Sequence, residues 1–221
     1  MLTAEFWTMF AVGLWETLYV VVLSTLFSYI IGLPLGLLLA VTDQDGLRPS
    51  AGVNKVFGTV VNLLRSVPSL IMVFLLTAFT RLIVGTTVGS PAMTPPIGRI
   101  AAFPFVARLV ESSVREVDRG VIEAAQSMGA STLQIVTRVI LPEATPSLIT
   151  GATTATVTIL GYSAMAGIVG GGGLGAIAIN YGYYRKESLI MWVAVVIIVI
   201  LVQILQGIGN RIAARSDRRI R

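Results

Sequence analysis

Between Glu143 and Arg185 the chain runs for 41 residues without a charged side chain. As one helix such a run would be about 62 Å long, roughly twice the hydrocarbon thickness of a bilayer. It therefore has to turn back on itself, and Gly167 followed by Gly170-Gly171-Gly172-Gly173-Leu174-Gly175 marks the turn. The run from Pro146 or Ser147 to residue 168 reads as a membrane span, and residues 176–184 as an outer loop or a shallow re-entrant segment. Composition agrees: soluble chains carry about 25% charged residues, whereas this one has 12%, with 55% hydrophobic residues. The sequence is that of a polytopic membrane protein.

Four further spans are expected. Residues 17–42 are uncharged for 26 positions, with Gly32-Leu-Pro34-Leu-Gly36 as a close-packing surface around a proline kink. That surface serves either ordinary packing within one subunit or a tighter helix–helix contact. A second span covers residues 56–80. There Arg65 either snorkels from one continuous helix to the interface, the reading we favour, or marks a break at Arg65-Ser66-Val67-Pro68. A third, residues 96–114, carries Arg99, Pro104, Arg108 and Glu111, and must be sheltered by other helices. The last, residues 188–210, is the clearest. The sequence lacks the early basic residues of a cleaved signal peptide.

Five spans place the termini on opposite faces. One face then carries Arg48, Lys55 and Arg65, Arg108, Arg115, Arg119 and Arg138, and the five arginines of the tail at 211–221. That makes 12 of the 16 basic residues. By the positive-inside rule this face is cytoplasmic, with the N-terminus outside and the C-terminus inside. The net charge of +5 thus speaks to topology, not to nucleic acid. With no cysteine and no histidine, the chain lacks thiolate metal sites and the commonest general base. No Gly-Lys pair exists for a P-loop, and Gly170, Gly172 and Gly175 match GxGxxG only between apolar spans. Nothing here reads as an enzyme, and no cofactor is expected on this chain.

The polar island at residues 118–142 is the exception in an oily chain. Asp118 can cap a short helix, Gly129 can take a left-handed conformation at its end, and Ser131 with Gln134 forms a capping-box pattern. Pro142 is expected to end the island. A polar helix–Gly–helix between two spans suits docking of a soluble partner. An amphipathic helix lying on lipid is the other reading, weakened because Val121, Ala125 and Met128 make only a thin apolar face.

Glu123-Ala124-Ala125, then three residues, Gly129, nine residues and Val139-Ile140-Leu141-Pro142 resembles the EAA motif of ABC-importer permeases. Further segments are similar to the methionine-import branch of that family: GLPLG, RSVPSLIMV, TRLIVGTTVG, GYSAMAGIVGGGGLG and YGYYRKE, across about residues 13–211. Thr132 departs from the branch, where proline is frequent after Ser or Thr. The resemblance implies an all-α integral membrane protein of five transmembrane helices per subunit, with the type I ABC-importer permease fold. The chain is then one membrane domain, with a permease core at about 13–208, a cytoplasmic coupling segment at 118–142 and a basic cytoplasmic tail at 211–221.

The resemblance also implies partners: a second copy of the chain, two ATP-binding subunits on the cytoplasmic side, and an extracytoplasmic substrate-binding lipoprotein. These would sit in and around the lipid of the bacterial cytoplasmic membrane. ATP would bind the partner subunits. Glu123, Ala124, Ala125, Met128, Gly129 and Ser131 are the expected coupling residues. Tyr162, Ser163 and Met165 are candidates for a hydrophobic gate, where small neighbours let two helices meet, although Met165 also reads as ordinary packing. A permease for another small amino acid, or a stand-alone channel or secondary carrier, are the alternative functions.

Overall fold

The computed structural model describes residues 4–94, 97 and 100–217, and no strand occurs among them. The first helix, α1 (Ala4–Thr42), is 39 residues long, about 58 Å. It begins 13 residues before the uncharged run, so Glu16 does not end the span. Its carboxylate instead accepts a hydrogen bond from the Gly173 N–H at 2.6 Å, and the neighbouring Thr17 Oγ1 accepts one from Leu174 N–H at 2.9 Å. Pro34 lies inside α1 without interrupting it.

The buried face of α1 is a ladder of mostly small residues at three- to four-residue spacing: Gly13, Thr17, Val21, Ser24, Ser28, Gly32, Gly36 and Ala40. Ser28 and Thr17 donate their hydroxyl protons to carbonyls one turn back, while Thr17 Oγ1 still accepts from Leu174 and Ser24 Oγ donates to the Thr94 carbonyl. The ladder lets α6 (Phe103–Arg115) approach closely. A methyl group at Gly36 would strike the Ala107 carbonyl oxygen, and one at Gly32 would lie 2.7 Å from Val106 Cγ1. The GLPLG surface therefore packs within the subunit. Residues 96, 98 and 99, at the start of the expected third span, lie outside the described residues. From Phe103 the span is a 13-residue helix with Val106, Ala107, Val110, Glu111 and Val114 buried, sheltered as its charges require.

The second expected span does not continue past Arg65. Helices α2 (Ala51–Ser66) and α3 (Ser69–Leu75) meet at 96°. The break falls at Val67-Pro68, both extended, because a residue before proline is disfavoured in the helical region. α2 crosses the end of α1: Asn54 Nδ2 donates to the Leu39 carbonyl at 2.8 Å, and Val61 packs with Leu39 and Ala107. Short helices α4 (Thr77–Val84) and α5 (Ser90–Thr94) follow, and Gly89 N–H donates to the Gly170 carbonyl.

The island forms α7 (Arg119–Ser127) and α8 (Thr132–Ile135). Pro142 does not end it. A single π-type turn at Val136–Ile140 is followed directly by α9 (Leu141–Ala166), so the helical path is continuous over Thr132–Val169. Proline would clash with the carbonyl four residues earlier in a regular helix, and the wider turn before Pro142 relieves that contact.

At Gly170, Gly172 and Gly173 the chain turns with φ of 79°, 73° and 75°, a region that glycine alone enters freely. It returns as α10 (Gly173–Ile177) and a π-type turn at Ala178–Tyr184, packed on α1 and α9 with Leu174 fully buried. The stretch is thus a helical re-entry instead of a loop. Last, α11 (Ser188–Ser216) runs six residues into the basic tail, whose residues 218–221 lie outside the described residues. By length and composition, α1, Thr132–Val169 and α11 can each cross a membrane, and the bent α2–α3 pair makes a fourth.

Candidate coupling site

The island is built by local capping and fixed by burial. Asp118 Oδ1 accepts from the Gly120 N–H at 2.7 Å and starts α7. At the other end Ala130 N–H donates to the Ala125 carbonyl and Gly129 N–H to the Gln126 carbonyl, the paired bonds of a Schellman stop. This stop requires a left-handed residue, and Gly129 has φ 79°. Ser131 then completes its capping box: its N–H donates to Gln134 Oε1 at 2.8 Å, and Gln134 N–H returns to Ser131 Oγ at 3.4 Å. Thr132 costs this cap nothing.

The residues expected to couple do not share one face. Ala125 is buried among Ala40, Val114, Val117, Ile135 and Ile140, so it belongs to the subunit's own core. Glu123, Ala124, Met128, Gly129 and Ser131 are exposed. Met128 keeps 81% of its surface and Leu133 72%. These two apolar side chains, with Val121 and Ala124, form the outward tip of an otherwise polar element. The sequence reading missed Leu133. Its signal was available as an apolar residue two places after the Ser131 cap, while the buried Ile135 lies four places after that cap.

Ion pairs anchor the element to the end of the bundle that carries it, here called the base. Arg115 reaches Asp43 at 2.9 Å and Glu111 at 2.7 Å, and Arg119 reaches Asp45 at 3.4 Å. Glu111 is 4% exposed and also pairs with Arg108, whose Nη2 donates to Asn62 Oδ1 at 2.9 Å. The buried carboxylate thereby joins α6, α2 and the loop after α1. A cleft of about 280 Å³ between that loop and α7 is lined by Asp43, Asp45, Arg115, Arg119, Glu123 and Gln126, among others. Glu123 makes no ion pair among the described residues and presents its carboxylate at the cleft edge.

The gate candidates lie at the far end of the same helix. Ser163 is buried, Tyr162 is half-buried, and Met165 keeps 50% of its surface exposed. Tyr162 and Met165 line a small gap together with Leu70 and Val73 of α3. Two of the three are therefore available to substrate or to a second copy, and Ser163 is not.

The profile of the family described as "Binding-protein-dependent transport system inner membrane component" matches residues 32–221. A Vibrio cholerae protein named "Probable D-methionine transport system permease protein MetI" is 48% identical over 93% of this chain and 91% of its own length. The Bacillus subtilis "Methionine import system permease protein MetP" is 46% identical over 82% of each. A solved inward-facing form of the MetNI methionine ABC transporter superposes with a TM-score of 0.95 at 40% identity, covering 98% of this chain and all of the matched one. An amino acid ABC transporter solved with histidines superposes at 0.72 with 19% identity and shares the fold. The helical architecture, the motif at the base and these similarities together place the chain in the family of inner membrane components of binding-protein-dependent transport systems.

Proposed function

We propose that this chain is the translocating subunit of an ATP-driven methionine importer. The observation that carries the mechanism is the continuity of Thr132–Val169, which joins the exposed tip at the base to Tyr162 and Met165 without an intervening loop. The relatives named for methionine transport support the substrate.

In this reading Glu123, Ala124, Met128, Gly129 and Ser131, with Leu133, seat in a groove of an ATP-binding subunit. Ala125 ties the seat to the bundle from within. ATP and its hydrolysis belong to that subunit. Closure of two such subunits draws two docked islands together, and each island carries its own α9. Coupling then requires differential contact in two states, so the seat must be stiff. The double cap and the Arg115–Asp43–Glu111 pairs supply that stiffness.

The exposed apolar faces of α2, α3 and α4, including Phe57, Leu63, Phe74 and Leu82, suit a second copy and lipid. An extracytoplasmic binding protein delivers substrate on the face opposite the islands. The membrane is the bacterial cytoplasmic one, with the N-terminus outside and the basic C-terminus inside.

Reconstitution tests the function. Liposomes holding this chain with its ATP-binding subunit and binding protein should accumulate methionine only while ATP is hydrolysed. Uptake by this chain alone, driven by an ion gradient, would make it a secondary carrier and overturn the proposal.

A further inference from the structure

We infer that the break between α2 and α3 builds a site for the carboxylate of an amino acid in transit, with Arg65 as the residue that holds it. The inference rests on the proposed import function and adds a place along the path where substrate is bound.

An arginine within membrane-spanning chain is retained where it pairs, reaches the interface, or faces a water-filled path. Arg108 and Arg115 pair, with Glu111, Asn62 and Asp43. Arg65 has no hydrogen bond or ion pair among the described residues. It lines a cleft of about 290 Å³ whose walls include Ser69, Met72, Phe105 and Tyr162.

Two measures keep this cleft away from the base. Phe105 stands ten residues, about 15 Å, along α6 from Arg115, which marks the base by its pair with Asp43. Tyr162 stands 22 residues, about 33 Å, along the α9 path from Ile140, which is buried with the island. Arg65 is itself exposed, so its free guanidinium stands at the open rim of this cleft, away from the base. Transport proteins line such cavities with chain that leaves regular helix, since only there can irregular backbone be hydrated.

The lining suits one ligand class. A guanidinium offers forked donors to a carboxylate, and such charge-assisted bonds strengthen where water is scarce. The hydroxyls of Ser69 and Tyr162, also without a partner among the described residues, add polar contacts for an α-ammonium group or the second carboxylate oxygen. Met72 and Phe105 give an apolar wall to a side chain. The volume sits at the lower edge of the roughly 300–1,000 Å³ usual for small-molecule sites, which fits one amino acid and not an oligomer. Tyr162 borders both this cleft and the Met165 contact, so a ligand held here lies beside the gate candidates.

The test is photolabelling of the full complex in liposomes with a diazirine analogue of methionine that keeps its carboxylate, trapped during turnover with orthovanadate. Label should map to residues 64–72, 101–105 or 162, and excess methionine should compete it away. In Arg65→Gln this label should fall at least about tenfold, as loss of a charged hydrogen bond implies, and Arg65→Lys should restore part of it. Label that maps elsewhere in the wild type while uptake proceeds overturns the inference and leaves the import function standing. That wild-type map needs no variant, so a misfolded Arg65→Gln cannot shield the inference. A lipid phosphate could occupy the same guanidinium. If the Arg65→Gln loss appears in vesicles containing phosphatidylglycerol but vanishes in pure phosphatidylcholine, the ligand is lipid and the inference fails. A wild-type complex that takes up no methionine overturns the import function itself, and the inference with it.

Discussion

Gly129 is required by backbone geometry and not by crowding. A methyl group there would meet nothing within 4 Å, yet its φ of 79° closes the Schellman stop between α7 and α8. A β-branched residue at that φ costs about 1–2 kcal/mol or more, which the chain would relieve by swinging Ser131 and its cap. Gly129→Val should therefore leave protein inserted and assembled while uptake falls and ATP hydrolysis continues. Gly129→Asn, tolerant of left-handed dihedrals, should keep most uptake. Paired assays of methionine uptake and phosphate release in the same liposomes check both. Met165 presents the opposite case, a flexible exposed side chain with space around it. If it plugs the path, Met165→Ala should leak methionine down its gradient without ATP, and tight vesicles would return it to ordinary packing.

At the scale of elements, the α1–α6 contact governs whether the bundle closes. Gly36→Val has to push α6 off the ladder at Ala107 and Val110, an overpacking that costs about 1–3 kcal/mol. The expected result is a lower thermal midpoint in detergent and a poor yield of folded protein. The sequence showed Gly32 and Gly36 because two glycines flank a proline, but the ladder below them was hidden. Ser28 and Thr17 look polar as letters, but their hydroxyls donate to carbonyls one turn back, while Ser24 donates across to the Thr94 carbonyl. Glu16 was misleading for a related reason. A charge ends a hydropathy run, and its partner, the Gly173 N–H, is 157 residues away. Arg65 was open between two readings because snorkelling and breaking leave the same local pattern, and Pro68 decided it. The caps at Asp118, Gly129, Ser131 and Gln134 were legible because each acts within three residues of itself. Ala125 could not be distinguished from Ala124 until the inner face of α7 was known.

For the whole molecule, orientation can be read with one introduced thiol, since the chain has no cysteine of its own. Met128→Cys sits at a strongly exposed point of the island, and a membrane-impermeant maleimide should label it in inside-out vesicles and not in intact cells. Labelling from the outside would reverse the topology and remove the island from reach of any ATP-binding subunit. The helix that leaves this island is held by its neighbours along its length, and near its middle from two sides. Gly151 lies against Leu109 and Ser113 of α6, Ser147 Oγ bonds Ser113 Oγ at 3.0 Å, and Thr153 presses on Gly209 of α11. Packing continues on either side of this level, through Ile140 and Ala144 towards the island and through Ile159 and Ala166 towards the other end. A helix packed along its length moves with its bundle, so a pull on the island turns the subunit as one body and does not bend this helix alone.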